Sequence, residues 1–221
     1  MRRELHPLIE VTAPTQCWSC GAVQASGQPL CGACGKLVER SAGATYFELM
    51  ALPVSYAIAS DELDRRFREL SLKLHPDRFA QAEAKERRLA LEHSTSLNEA
   101  YRTLKDPYRR AFYLLKLRGV DLGREEGGTQ KEMPPEFLEE VLDLSEALEA
   151  AAGKRDIDAA RELADEVAQK RQAALDQGVK ALEKAPSNPS TTQEAAHQLG
   201  RVRYFNRFLE GVDALEEEIL G

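Results

Sequence analysis

The sequence predicts an all-α protein: a helical hairpin followed by a C-terminal three-helix bundle, preceded by a small segment that holds four cysteines. Three observations carry this. Apolar residues recur at three- and four-residue spacing through most of the chain after residue 44, the mark of helices with one buried face. The composition is rich in Ala and Leu and holds only 6% aromatics, which suits closely packed helices. All four cysteines fall between positions 17 and 34, in a stretch too short to build an apolar core and so in need of a staple.

Composition narrows the class further. The chain has 221 residues, 43% of them hydrophobic and 30% charged. No apolar run approaches the ~20 residues needed to cross a bilayer. The start, Met1 to Pro7, lacks the apolar stretch of a secretory signal, and Glu4 and Glu10 argue against a mitochondrial presequence. A soluble protein of the bacterial cytoplasm is expected. The net charge of −7 disfavours broad nucleic-acid binding. It is also uneven: residues 1–120 carry 18 basic and 14 acidic side chains, residues 121–221 carry 12 and 23. One half at +4 and one at −11 suggest two parts with different partners.

The cysteines read Cys17-Trp18-Ser19-Cys20-Gly21 and Cys31-Gly32-Ala33-Cys34-Gly35, with ten residues between the pairs. Two thiolates two residues apart reach one metal from a single tight turn, and the glycine after each pair lets the backbone fold so that its amides face the sulfurs. Cys17, Cys20, Cys31 and Cys34 therefore offer a four-sulfur tetrahedral set that suits one structural Zn²⁺ and leaves no position for water. Core cysteines would not pair so regularly, and a cytosolic setting disfavours disulfides. Trp18 is expected over the site or on the neighbouring helices. Only Lys36 and Arg40 lie nearby to serve a nucleic acid.

Tyr46, Phe47, Leu49, Met50 and Leu52 predict a short helix ended by Pro53. Ser60-Asp61-Glu62 offers an N-cap and first-turn acids, and Leu63, Phe67, Leu70 and Leu74 line one helical face up to Pro76. Leu89, His93, Ser96, Leu97, Ala100 and Leu104 line a second. A helix at 61–74, a loop at 75–80 and a helix at 81–105 form an αα-hairpin. A further helix after Pro107 ends near Gly119. Residues 121–134, with Gly123, Gly127 and Gly128, read as a boundary loop. Beyond it lie three stripes: Phe137, Val141, Leu144 and Leu148; Ile157, Ala160, Ala164, Val167, Ala174 and Leu182; and Leu199, Val202, Phe205, Leu209, Val212 and Ile219. Pro186 and Pro189 separate the last two. No strand-period segment and no Gly-rich phosphate loop stand out.

His75-Pro76-Asp77 sits between the arms of the hairpin. Arg65, Arg66, Arg68 and Lys73 lie on the solvent side of the helix before it, and Lys85, Arg87 and Arg88 on the helix after it. A basic helix ending in a rigid loop can dock an acidic partner surface. Residues 45–118 resemble a J domain, the module by which DnaJ-type co-chaperones stimulate an ATPase chaperone. The resemblance implies partner contacts at Arg65, Arg66, Arg68, Lys73, His75, Pro76 and Asp77. Arg78 follows the tripeptide where many J domains have Lys.

The resemblance narrows further. Tyr46-Phe47-Glu48-Leu49, the run Leu97-Asn98-Glu99-Ala100-Tyr101-Arg102-Thr103-Leu104-Lys105-Asp106-Pro107, and Arg110-Ala111-Phe112-Tyr113-Leu114-Leu115 resemble the HscB (Hsc20-type) family, which serves iron–sulfur cluster assembly. Members add a C-terminal bundle, and some carry an N-terminal CxxC…CxxC ribbon. The division implied is a zinc-ribbon segment at 1–40, a J domain with connecting helix at 41–120, and a scaffold-binding bundle at 121–221. A DnaK/HscA-type chaperone and an IscU-type scaffold are the partners it implies. Leu138 and Leu142 extend the first bundle stripe around its helix, and Tyr204 and Phe208 flank the third. The resemblance implies that Leu138, Leu142 and Tyr204 bind the scaffold.

No catalytic set emerges. His6, His75, His93 and His197 fall on separate segments, and no nucleophile is paired with a base, so the protein is not expected to be an enzyme. A general J-domain co-chaperone for unfolded clients and a zinc-ribbon nucleic-acid adaptor remain as alternatives.

Overall fold

Each Cys-x-x-Cys-Gly unit closes on itself in the same way. In the computed structural model, the amide of Cys17 donates to the Ala22 carbonyl and that of Gly21 to Cys17, at 2.9 and 2.8 Å; Cys31 to Lys36 and Gly35 to Cys31 repeat the pattern at 2.8 Å each. Gly21 and Gly35 turn the chain at φ +73° and +72°, a region that costs any residue with a Cβ. The model describes residues 15–24, 27–41, 43–122, 133–184 and 188–220. Glu4, His6 and Glu10, the boundary-loop glycines Gly123, Gly127 and Gly128, and Pro186 lie outside them. Two strands absent from the sequence reading, β1 (Thr15–Gln16) and β2 (Val23–Gln24), pair antiparallel across the first knuckle. Two residues are too few to leave a period-two signal.

The chain divides into two compact units, Met1–Leu117 and Arg118–Gly221. In the first, α1 (Tyr46–Leu49) starts with a capping box. Thr45 accepts from the Glu48 amide, and the Glu48 carboxylate accepts from the Thr45 amide, which satisfies donors the short helix cannot pair itself. The Tyr113 hydroxyl accepts from the Tyr46 amide at 2.8 Å, and the two rings stack at 4.5 Å. α2 (Ser60–Leu74) begins one residue earlier than expected. Ser60 is its first helical residue and not its cap; Ala59 takes the cap position with no side-chain bond. Asp61 and Glu62 complement the helix dipole instead.

His75 leads into a 3-10 turn at Pro76–Phe79. This turn delays α3 (Ala84–Lys105) by three residues against the predicted start. Asp106 accepts from the Arg109 amide at 2.8 Å, so Asp106-Pro107 acts as cap and first residue of α4 (Pro107–Leu117). Buried Arg110 donates to the carbonyls of Leu104 and Tyr56 at 2.7 and 2.6 Å. Phe47, Met50, Leu63, Leu74, Leu89, Leu97, Leu104 and Leu115 fill the core between these helices.

The second unit holds α5 (Pro135–Lys154), α6 (Ile157–Lys184) and α7 (Pro189–Leu220). Helices α6 and α7 pack closely along small residues. A Cβ on Gly178 would stand 3.0 Å from Leu199, and one on Gly200 only 2.1 Å from the Met133 terminal methyl. Of the predicted stripes, Phe137, Leu144, Ala160, Val167, Ala174, Leu182, Leu199, Val202, Phe205 and Val212 are buried. Phe208, which flanks the third stripe, is half-buried and packs on the Ala151–Ala160–Val212 cluster. Arg118 and Arg203 donate to the carbonyls of Leu182 and Leu122 and fasten the entry of this unit.

Candidate functional site

The two knuckles bring Cys17, Cys20, Cys31 and Cys34 together with all four sulfurs within 4.8 Å of one another. The cross-knuckle pairs Cys17–Cys34 and Cys20–Cys31 stand 3.7 and 3.6 Å apart. Four thiolates at about 2.3 Å from one zinc, arranged tetrahedrally, have sulfurs about 3.8 Å apart. A disulfide would need about 2.05 Å, and the four cysteines are free. The donor set therefore fits a single tetrahedral thiophilic ion. The local field grades the thiols. The amide of Cys34, and less so that of Ala33, lowers the Cys31 thiol to about 6 against the pull of burial. The Ala22 amide favours the Cys20 thiolate, but the sulfurs of Cys34 and Cys31 outweigh it and push that thiol up to about 12. Sulfurs this close need a cation among them to be ionised together.

Of the two basic residues near the ribbon, Lys36 is committed to α3. Lys36 donates to buried Glu86 of α3 at 2.8 Å and lies 3.6 Å from Glu83, which together raise its pKa, chiefly through Glu86. The other Glu86 oxygen accepts from the Leu37 amide at 3.3 Å. Two turns further along α3, the Nε2 of buried His93 meets the Val38 carbonyl at 2.7 Å. That carbonyl can only accept, so Nε2 carries the proton, and burial keeps the ring pKa below its usual value. Trp18 donates from its indole to the Leu37 carbonyl at 2.7 Å, and the Lys85 ammonium lies 5.2 Å from its ring. Trp18 thus bridges ribbon and helix. Lys85, grouped with the solvated cations on sequence grounds, pairs with Glu39 at 2.9 Å. Sequence reasoning missed Glu86; its only trace is one acid inside Lys85-Glu86-Arg87-Arg88.

The His-Pro-Asp loop is solvated. The side chains of His75 and Asp77 are 58% and 90% exposed. The His75 Nδ1 accepts weakly from the Asp77 amide at 3.4 Å, and among the described residues nothing structural occupies the Asp77 carboxylate beyond its 3.5 Å approach to that ring. Arg65 and Arg68 lie on the arc of α2 opposite buried Leu63 and Leu74, while Arg66 and Lys73 flank the buried stripe. Two of the four are not free cations. Arg65 pairs with Glu62 and Glu69 at 2.6 and 2.7 Å, and Arg66 with Glu62 at 2.9 Å. Such exposed pairs contribute little to stability and exchange readily. Arg68 and Lys73 make no ion pair among the described residues. Leu72, 72% exposed, lies in the same arc; it sits off the Leu63–Phe67–Leu70–Leu74 stripe, and that displacement was its signal.

In the bundle, Leu142 is 62% exposed, while Leu138 and Tyr204 are half-buried. Tyr204 meets Phe137 edge-on with ring centroids 5.5 Å apart, which brings it beside the first turn of α5. Beneath them, Glu140 accepts from Lys170 at 2.7 Å and approaches Arg201 at 3.5 Å. Arg201 in turn lies 4.9 Å from the Phe137 ring. One carboxylate thus ties all three helices at the level of the apolar pair.

Among the described residues no helix is long and apolar enough to cross a membrane. A family model described as the DnaJ domain matches residues 45–113, and one described as the HSCB C-terminal oligomerisation domain matches residues 133–213. A Co-chaperone protein HscB homolog of Burkholderia multivorans is 35% identical over 175 residues, spanning 79% of this chain and 95% of that protein. The crystal structure of human co-chaperone protein HscB is similar at TM-score 0.78 and 30% identity, over 90% of this chain and 98% of that one. Chaperone HscB from Vibrio cholerae is similar at TM-score 0.65 and 31% identity, over 79% and 99%. With both halves matched in order and most of the chain aligned to its relatives, the protein belongs to the HscB family of co-chaperones.

Proposed function

We propose that the chain couples an IscU-type scaffold protein to the ATPase cycle of a DnaK/HscA-type chaperone during iron–sulfur cluster assembly in the cytoplasm. The observation that carries this is the solvated His75-Pro76-Asp77 loop at the end of a cationic helix arc, with a carboxylate that has no structural task. Arg68 and Lys73 supply free charge to an acidic chaperone surface, Arg65 and Arg66 join by exchanging their local glutamates, and Leu72 adds apolar contact. Hydrolysis takes place on the chaperone; His75 and Asp77 are contact groups, and the chain itself is not an enzyme. Leu138, Leu142 and Tyr204 hold the scaffold, and one chain that binds both partners raises the effective concentration of one near the other. The organisation proposed is a ribbon at 1–40, a J domain with connecting helix at 41–120, and a scaffold-binding bundle at 121–221. Cys17, Cys20, Cys31 and Cys34 would hold one Zn²⁺, which would supply a structural cross-link and no chemistry.

A competition assay separates this from a general co-chaperone for unfolded clients. A labelled IscU-type scaffold should bind the intact chain, and an excess of a permanently unfolded polypeptide should fail to displace it. Displacement by the unfolded chain, or no scaffold binding, would contradict the proposal.

A further inference from the structure

The ribbon does not hang from the J domain. Its second knuckle runs directly into the strap Lys36–Ser41, in which Leu37, Val38 and Ser41 are buried. Among the described residues, polar contacts fasten the ribbon to α3 and its N-cap: Lys36 and the Leu37 amide to Glu86, Lys36 to Glu83, Lys85 to Glu39, and His93 to the Val38 carbonyl. Glu86 and His93 are each only 4% exposed beneath the strap, so a strap that loosens without leaving strands a covered carboxylate and a covered ring N–H short of partners. Such groups cost far more unpaired than they return when paired. The fastened stretch is also the root of the hairpin loop. Glu83 caps α3, Arg87 donates to the Ala82 carbonyl at 2.6 Å, and the 3-10 turn packs against α3. On the other side, the loop between the knuckles closes on α1, where a Cβ on Gly27 would stand 3.0 Å from the Glu48 carbonyl.

We infer that the strap couples occupancy of the thiolate site to the order of α3 and of the loop that presents His75-Pro76-Asp77. The knuckles hold the strap in shape only while a tetrahedral ion joins them. The strap in turn satisfies Glu86 and His93. Two sites joined by one free-energy coupling must affect each other equally. A substitution at Glu86, 52 residues from the last cysteine in sequence, therefore weakens metal binding by the factor by which metal stabilises the α3 end. The consequence for chaperone docking rests on the function proposed above; the coupling itself does not.

The test uses the full chain and Zn²⁺ alone. Zinc affinity is measured by competition with a chromophoric chelator for wild type, Glu86→Ala and Glu86→Gln, with far-UV circular dichroism as the check on folding. Glu86→Ala should bind Zn²⁺ about tenfold more weakly, within the usual range of such couplings. Glu86→Gln keeps an acceptor for the Leu37 amide and should fall between. Asp64→Asn, which disturbs only the Lys105 and Tyr101 contacts at the far end of α3, should leave the affinity alone. In the reverse direction, chelation should speed amide exchange across residues 75–93 of wild type about tenfold and add nothing in Glu86→Ala. Zinc affinities within twofold of one another in the folded variants, an equal loss in Asp64→Asn, or α3 exchange indifferent to metal would each overturn the coupling.

Discussion

Asp77→Asn leaves the chain folded and abolishes its stimulation of the chaperone ATPase. The first half follows from the exposure of the carboxylate, 90% in solvent. A surface substitution of this kind changes stability by no more than about 0.5 kcal/mol, and asparagine keeps the shape of the turn. The second half follows from charge. A carboxylate that meets a cationic donor on a partner makes a bond worth about 2–3 kcal/mol, so its loss weakens docking roughly 30- to 150-fold. Single-turnover ATP hydrolysis by a DnaK/HscA-type chaperone, titrated with wild type and variant, reads this directly. Full stimulation by Asp77→Asn would remove the tripeptide from the account. Neutralising Arg68 or Lys73 should cost less per residue, because a solvated cation loses only screened attraction.

Replacing Leu138, Leu142 and Tyr204 together with Ala should lower scaffold affinity by about two to three decades while chaperone stimulation in the absence of scaffold stays as it was. Apolar and aromatic anchors typically cost 2 kcal/mol or more each when truncated, and their effects do not add in full. Folding should suffer less. Leu142 is largely solvated, and Tyr204 gives up one edge-on ring contact with Phe137, worth about 0.5–1.5 kcal/mol. Isothermal titration with an IscU-type scaffold measures the loss, and thermal unfolding checks the bundle. Unchanged affinity would dissolve the patch.

What the sequence made legible was local. Two knuckles of identical spacing, an Asp-Pro helix start and a Pro-broken hairpin are each set within a few residues, and the structure reproduces the three bundle helices and the hairpin that the apolar periods imply. What it hid was tertiary. Glu86 and Lys36 lie 50 residues apart, and each reads as an ordinary surface charge until the ribbon lands on α3. Lys85 belongs to the same seam and was counted with the solvated cations. Arg65 and Arg66 read as solvent-side cations, and only the placed side chains show that Glu62 takes both. Phe208 was set beside Tyr204 as a flanking residue, since a one-residue step around a helix separates core from surface only once the neighbouring helix is in place.

The uneven charge of the two halves, +4 and −11, matches the division of labour proposed here: a cationic loop and helix for an ATPase chaperone, and an apolar patch in an acidic bundle for a client. The central claim is that one chain joins the two. Steady-state ATPase of the chaperone, measured with this protein, with an IscU-type scaffold, and with both, tests it most directly. The account predicts that the pair together raises the rate beyond the product of their separate effects, and that this surplus disappears with either Asp77→Asn or the Leu138/Leu142/Tyr204 triple substitution. A rate that is merely the product of the two, with the surplus absent from wild type, would contradict it.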